Sequence, residues 1–137
     1  MVVDANGKAI GRYAGTPTVS GIAAYRRVNG VDTAIALQSN AVLSLAPGRL
    51  YFVSSDCTGA PYGASEEPGV APSATVLLNG NTYLYIGTYG KVEQVDKLSS
   101  MLFEGACLSI NNQGKFFPVN PVPVDITGVF VPPFFVR

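Results

Sequence analysis

The sequence predicts an all-β fold, an antiparallel sandwich, barrel or prism of short hairpins that associates with copies of itself. Turn-forming residues recur roughly every eight to fifteen positions, which is typical of antiparallel β folds. The chain contains 15 glycines and 10 prolines, and both residue types disrupt helix interiors, so a long helix has no room. Its 137 residues fit the usual size of one domain. We therefore expect a single β domain spanning residues 1–137.

Asn-Gly pairs give the clearest local predictions, because both central residues of a type I′ hairpin turn need positive φ. The chain contains three such pairs: Asn6-Gly7, Asn29-Gly30 and Asn79-Gly80. After the second pair, apolar and polar or small residues alternate over residues 31–37, the period of a half-buried strand. Each pair predicts a β-hairpin.

The dipeptide Pro47-Gly48 separates two apolar stretches. Proline presets φ and glycine tolerates positive φ, so the pair is typical of a turn. It predicts a hairpin between residues 41–45 and 50–54.

The second half of the chain contains one ambiguous stretch and one clear loop. Apolar residues are spaced by three within residues 91–100, so this stretch is predicted as a strand or a short helix. Residues 111–114, Asn-Asn-Gln-Gly, favour a loop. They predict a hairpin between residues 102–110 and 115–119.

Residues 61–73 form the longest predicted irregular segment, and long loops often carry recognition residues. Glu66 and Glu67 lie there among prolines and glycines. This setting predicts a solvated loop and not a pair of catalytic carboxylates.

Residues 120–137 form a C-terminal segment rich in proline and aromatic residues. Its prolines bar it from a central strand, yet its apolar side chains need cover. The segment packs either on its own domain or on a neighbouring subunit. We expect a subunit interface that includes Phe130, Phe134 and Phe135, each worth on the order of 2 to 3 kcal/mol when buried.

Charge is scarce in this chain. Charged residues make up 13% of the sequence and their formal sum is zero, whereas soluble domains carry roughly 25% charged residues. A small domain with so few charges exposes apolar surface, and such surface marks interfaces. We therefore expect a homo-oligomer.

The same composition argues against nucleic acid and membrane partners. Arg26-Arg27 is the only basic pair, and in an extended segment its side chains point to opposite faces, so it forms no phosphate-binding patch. No run of 18 or more apolar residues occurs, so the sequence predicts no membrane-spanning helix.

The chain contains no histidine, which excludes Ser-His-Asp and Cys-His arrangements and histidine-ligated metals within one chain. Residues 4–8 begin like a calcium loop, but Lys8 occupies the fifth position. No phosphate-binding glycine motif precedes a helix. A glycosidase with paired carboxylates is the remaining formal alternative. The sequence thus predicts no enzyme, no catalytic residue, no metal site and no cofactor.

Cys57 and Cys107 are the two cysteines. A bond between them would close a loop of about 50 residues and stabilise the fold by about 4 kcal/mol. Two buried free thiols, or a reactive or metal-binding role, are the alternatives. A structural zinc site is not expected, because it takes four ligands from cysteine and histidine.

Tyr83, Tyr85 and Tyr89 fall on one face of a predicted strand, with Leu84 and Ile86 on the other. Aromatic faces stack on sugar rings, so the tyrosines are a candidate glycan-binding platform. Because both faces of the strand are apolar, we favour packing in the core or at a subunit interface instead.

Four segments of the chain, residues 2–11, 50–62, 105–107 and 132–137, resemble an uncharacterised bacterial and prophage C-terminal module. The Asp-Cys-Thr-Gly element at residues 56–59 is the most distinctive of them. That module follows collagen-like repeats or the shaft of a phage tail fibre, although this chain contains no Gly-x-y tract. The resemblance implies a β-rich, trimeric tip on an elongated fibre. It carries over no functional residue beyond the Cys57 and Cys107 pair.

The leading hypothesis is a non-enzymatic, homotrimeric structural domain of an extracellular or virion fibre that contributes to receptor attachment. Its expected partners are copies of itself and a cell-surface glycan or receptor. One alternative is a monomeric carbohydrate-binding β-sandwich. Another is a self-assembling filament or shell subunit that joins its neighbours through the C-terminal segment or an edge strand. The leading hypothesis places the protein outside the cell, at a cell surface or on a virion.

Overall fold

The structure, a computed structural model, describes residues 1–14, 22–64 and 69–137. These residues form thirteen strands and no helix, which confirms the predicted all-β class. The strands are β1 (Val2–Val3), β2 (Ala9–Ala14), β3 (Ile22–Val28), β4 (Val31–Asn40), β5 (Val42–Leu45), β6 (Arg49–Phe52), β7 (Tyr62–Gly63), β8 (Ser73–Leu78), β9 (Asn81–Ile86), β10 (Glu93–Phe103), β11 (Ala106–Pro118), β12 (Val124–Asp125) and β13 (Phe135–Val136).

The first sheet is antiparallel and has six strands in the order β13-β1-β2-β3-β4-β5. Its two ends meet, because Leu43 of β5 forms an antiparallel bridge with Phe134, which directly precedes β13. The Phe134 N–H donates to the Leu43 carbonyl oxygen at 2.8 Å. The sheet therefore closes on itself like a barrel.

Two smaller sheets complete the fold. Strands β10, β11, β7 and β6 form a closed barrel in that order. Strands β12, β9 and β8 form a three-stranded sheet. Antiparallel pairing with barrel-like closure therefore agrees with the predicted architecture.

The buried side chains form two main clusters with β9 between them. The first combines the six-stranded sheet with the C-terminal segment: Val2, Ile10, Ala24, Ile35, Leu37, Leu84, Ile126, Phe130 and Phe134. The second combines the barrel with the three-stranded sheet: Leu50, Phe52, Ala74, Val76, Leu102 and Val119. Leu84 of β9 belongs to the first cluster, whereas Tyr85 packs against the second. This strand is therefore packed on both faces, as its apolar pattern predicts.

The Asn-Gly predictions hold for all three hairpins, with one difference in turn geometry. Asn29-Gly30 has φ of 49° and 78°, and Asn79-Gly80 has 52° and 80°, as type I′ turns require. The first pair joins β3 to β4 and the second joins β8 to β9. In Asn6-Gly7, which lies in the longer connection from β1 to β2, only the glycine has positive φ.

The predicted hairpin around Pro47-Gly48 is wrong. Strand β5 pairs with β4, whereas β6 pairs with β10 and β7. At this dipeptide the chain passes from one sheet to another, and the Gly48 N–H donates to the Thr75 carbonyl oxygen of β8 at 2.6 Å. A Cβ at Gly48 would lie 2.9 Å from that oxygen, so the close approach requires glycine.

The predicted loop at residues 111–114 is also wrong, because β11 runs through it without interruption. The turn lies earlier, at Glu104-Gly105, with φ of 49° and 79°. Glutamate seldom adopts positive φ, so the pattern did not mark this turn. The ambiguous stretch at residues 91–100 is extended and belongs largely to β10, which pairs with β11 and β6.

The segment predicted as a loop over residues 61–73 is partly regular. Residues 62–63 form β7, and Ala71 bridges Thr33 of β4, whose hydroxyl donates to the Ala71 carbonyl oxygen at 2.9 Å. Glu66 and Glu67 lie outside the described residues.

Candidate functional site

Cys57 and Cys107 form a disulfide with a Cα–Cα distance of 6.0 Å. The bond joins the loop after β6 to the beginning of β11. Ser100 supports the same loop, because its hydroxyl accepts the Cys57 N–H at 2.9 Å and donates to the Ser54 carbonyl oxygen at 2.6 Å. The free-thiol alternative therefore does not hold. Disulfides are typical of proteins outside reducing compartments.

The C-terminal segment packs on its own chain. Phe130 and Phe134 are buried in the first core cluster, so the expectation that they form a subunit interface is corrected. Phe130 also carries two cations over its ring, with Lys8 Nζ at 5.5 Å and the Arg26 guanidinium at 5.2 Å from the centroid. Of the three aromatic residues, only Phe135 is exposed.

The three candidate tyrosines do not form one exposed platform. Tyr83 and Tyr85 lie on β9, but Tyr89 lies beyond the strand in a turn. Tyr85 packs against the second core cluster, and this burial raises the pKa of its phenol. The Tyr83 hydroxyl accepts a hydrogen bond from the Asn81 side chain at 3.2 Å. Packing is therefore the better account of Tyr85.

Several exposed apolar residues lie on or beside neighbouring strands of the first sheet. The backbones of Met1 and Arg137 exchange two hydrogen bonds, of 2.9 and 2.8 Å. Met1, Val42, Phe135 and Val136 lie on or beside the neighbouring strands β1, β5 and β13, with exposed fractions of 54%, 50%, 44% and 53%. We call these four residues the terminal patch.

A cleft of about 370 Å³ opens where the three sheets meet. Strand β4 contributes Gln38, β6 contributes Arg49 and Tyr51, β8 contributes Ser73, and β10 contributes Phe103. Most of the other lining residues are alanine or glycine, and the full set is Ala34, Ala36, Ala46, Pro47, Gly48, Gly63, Ala64, Ala71, Pro72, Ala74 and Thr75. We call this space the central cleft.

Arg49 supplies the charge in the central cleft. It pairs with Phe103 across β6 and β10, and its guanidinium carbon lies 4.8 Å from the Phe103 ring centroid. The described lining residues include no aspartate or glutamate. The cleft is thus lined by the Arg49 cation, the Gln38 amide, the hydroxyl-bearing residues Tyr51, Ser73 and Thr75, and the aromatic rings of Tyr51 and Phe103.

Sequence reasoning missed the central cleft. Arg49 and Phe103 are far apart in sequence, and only the register of β6 on β10 makes them partners. The hairpin wrongly predicted around Pro47-Gly48 also placed Arg49 in a local turn. No local pattern marks either residue.

Two further features bear on chemistry. In the described residues, no three His, Cys, Asp or Glu side chains are placed to hold a metal ion together. Nor does this part of the chain form a helix with the length and hydrophobicity that a membrane crossing requires.

Comparisons of the chain with protein-family models, with curated proteins and with solved structures found no match.

Proposed function

We propose that this chain is a non-enzymatic structural domain at the end of an extracellular or virion fibre, where it associates with copies of itself and contributes to receptor attachment. The single observation that carries the proposal is the terminal patch. Four exposed apolar residues lie on or beside the neighbouring strands β1, β5 and β13.

The patch suits association between copies. In a cyclic homo-oligomer, equivalent surfaces of the copies meet around the symmetry axis. Apolar side chains at that place would be covered by the neighbouring copies. Each half-exposed side chain gains on the order of 1 kcal/mol from burial, so several together support association. Three copies are proposed from the resemblance to fibre-end modules.

The disulfide supports an extracellular location, since such bonds persist in oxidising environments. It lies within one chain. Copies of the domain are therefore held together by contact and not by covalent bonds.

The test is the mass of the folded chain in solution, measured by light scattering after size-exclusion chromatography. We expect three times the 14.3 kDa of one chain. The double variant Val42→Ser, Phe135→Ser should dissociate. Val122→Ser is the matched control, because Val122 is 75% exposed but lies outside the patch. A wild-type monomer at micromolar concentration, or equal dissociation of the control, would overturn the proposal.

The outer edge of β11 favours a second candidate function, a self-assembling filament subunit. From Ala106 to Lys115 this strand pairs only with β10 in the described part of the chain. Lys115 is the one charged residue in that stretch, whereas natural edges are usually protected by charges or prolines. Electron microscopy distinguishes the two candidates: filaments that disappear in Leu108→Lys support strand addition, and discrete particles reject it.

A further inference from the structure

We propose that the central cleft binds the carboxylate group of an acidic sugar residue, with Arg49 as the partner of the carboxylate. The inference deepens the receptor-attachment part of the proposed function and rests on it for biological context only. Binding and self-association are separate measurements, so either can fail while the other stands.

The contact with Phe103 orients the Arg49 guanidinium for binding an anion. Stacking on Phe103 covers one face of the guanidinium, at 4.8 Å from the ring centroid, and leaves its N–H edges for a ligand. A planar guanidinium donates two parallel hydrogen bonds to a carboxylate, which favours this anion over a neutral group. A side chain that is already ordered loses less entropy on binding.

The charge of Arg49 is not neutralised in the described part of the chain. The ion pair in those residues joins Arg27 to Asp32 at 3.1 Å, and the cleft lining that the structure describes contains no acidic side chain beside Arg49. Arg27 is therefore a natural comparison, since its charge is already partnered at an exposed site.

The space and the remaining polar groups suit a sugar ring. A volume of about 370 Å³ lies within the range of small-molecule sites. Ser73 donates its hydroxyl hydrogen to the Ala34 carbonyl oxygen at 2.5 Å, which leaves its oxygen free to accept from a sugar hydroxyl. The Gln38 amide makes only long hydrogen bonds of 3.4 Å, to Ser44 and from Asn40, which a ligand can replace.

Three probe molecules distinguish the contribution of the carboxylate to binding from that of the sugar ring. Methyl β-D-glucuronide carries both, methyl β-D-glucoside has the ring without the carboxylate, and acetate has the carboxylate without the ring. In calorimetric or NMR titrations of the whole chain, we expect the glucuronide to bind at least about tenfold more tightly than either of the other two. Chemical-shift changes should centre on Arg49, Phe103 and Ser73.

Variants then assign the site. Arg49→Gln should weaken glucuronide binding about tenfold or more. Arg49→Lys should weaken it less, because lysine keeps the positive charge but lacks the two parallel N–H donors of the guanidinium. Arg27→Gln is the matched control and should bind like the wild type. The mass of each variant is measured in the same samples, so that loss of binding is distinguished from loss of association. Equal binding of glucoside or acetate, or equal loss in Arg27→Gln, would overturn the proposal.

Discussion

The Asp4 carboxylate accepts a hydrogen bond from the Val131 N–H at 3.0 Å, which links the first hairpin to the C-terminal segment. Its other oxygen accepts the N–H groups of Asn6 and Lys8 at 2.9 and 2.8 Å. Asp4 is 2% exposed. One side chain thus shapes the connection between β1 and β2 and also fixes the segment that closes the six-stranded sheet.

Asp4→Asn should lower the melting temperature, because the amide replaces an ionised acceptor and its NH₂ group cannot accept from a backbone N–H. The exposed Asp96 on β10 provides the control, and Asp96→Asn should change the melting temperature little. Differential scanning calorimetry of both variants measures the difference. Equal melting temperatures for Asp4→Asn and wild type would contradict this role.

Acid should destabilise the protein partly through the same group. The hydrogen bond from Val131, followed by those from Lys8 and Asn6, lowers the pKa of Asp4 below its ordinary value of 3.8. The stabilisation is therefore complete above the unfolded pKa and is lost as pH falls through the folded pKa. Thr58 and Thr127 lower the pKa values of Asp56 and Asp125 in the same direction. Denaturant unfolding between pH 7 and pH 2 measures this effect. As the pH falls, the unfolding free energy should decrease less in Asp4→Asn than in the wild type.

Thr75→Val should stabilise the fold by about 1 kcal/mol, because a buried hydroxyl without a partner costs free energy that an isosteric methyl group does not. Thr75 lies on β8 and is 3% exposed, and its Oγ1 has no hydrogen-bond partner. Thr33 is the control, because it is also buried but its hydroxyl donates to the Ala71 carbonyl oxygen. Thr33→Val should destabilise by about 1 kcal/mol. Urea unfolding measures both changes in unfolding free energy, and changes of the same sign for Thr75→Val and Thr33→Val would refute this distinction.

The sequence could predict those elements whose cause is local. Asn29-Gly30 forms its turn because both residues tolerate positive φ, whatever surrounds them. Pro47-Gly48 does separate two strands, β5 and β6, but contacts distant in sequence decide which sheets these strands join. The central cleft could not be predicted for the same reason, since the pairing of Arg49 with Phe103 arises from the register of β6 on β10.

The two cysteines show an intermediate case. Composition raised the possibility of a disulfide between Cys57 and Cys107, but only the fold places their Cα atoms 6.0 Å apart. For Phe130, Phe134 and Phe135, the sequence indicated apolar residues that needed cover. It could not say that the first two insert into their own core while the third stays exposed.

The double variant Cys57→Ser, Cys107→Ser should lose about 4 kcal/mol of unfolding free energy, because a closed loop of about 50 residues restricts the unfolded chain. Guanidinium unfolding with and without a reductant measures this loss. Reduction should destabilise the wild type and leave the double variant unchanged. Because the bond is intramolecular, non-reducing gels should show one chain. A disulfide-linked dimer would contradict the assignment.

Phe134 and Phe135 are adjacent in sequence, but truncating them should affect different properties of the protein. Phe134 is 4% exposed and meets Leu43 at the closure of the first sheet, whereas Phe135 is 44% exposed in the terminal patch. Phe134→Ala should cost about 3 to 5 kcal/mol through lost burial and the cavity left behind. Phe135→Ala should change the stability of one chain by less than about 1 kcal/mol but weaken association between copies. Urea unfolding under dissociating conditions measures the first effect, and light scattering over a dilution series measures the second. If Phe135→Ala destabilised the single chain as strongly as Phe134→Ala, the terminal patch would belong to the core and not to an interface.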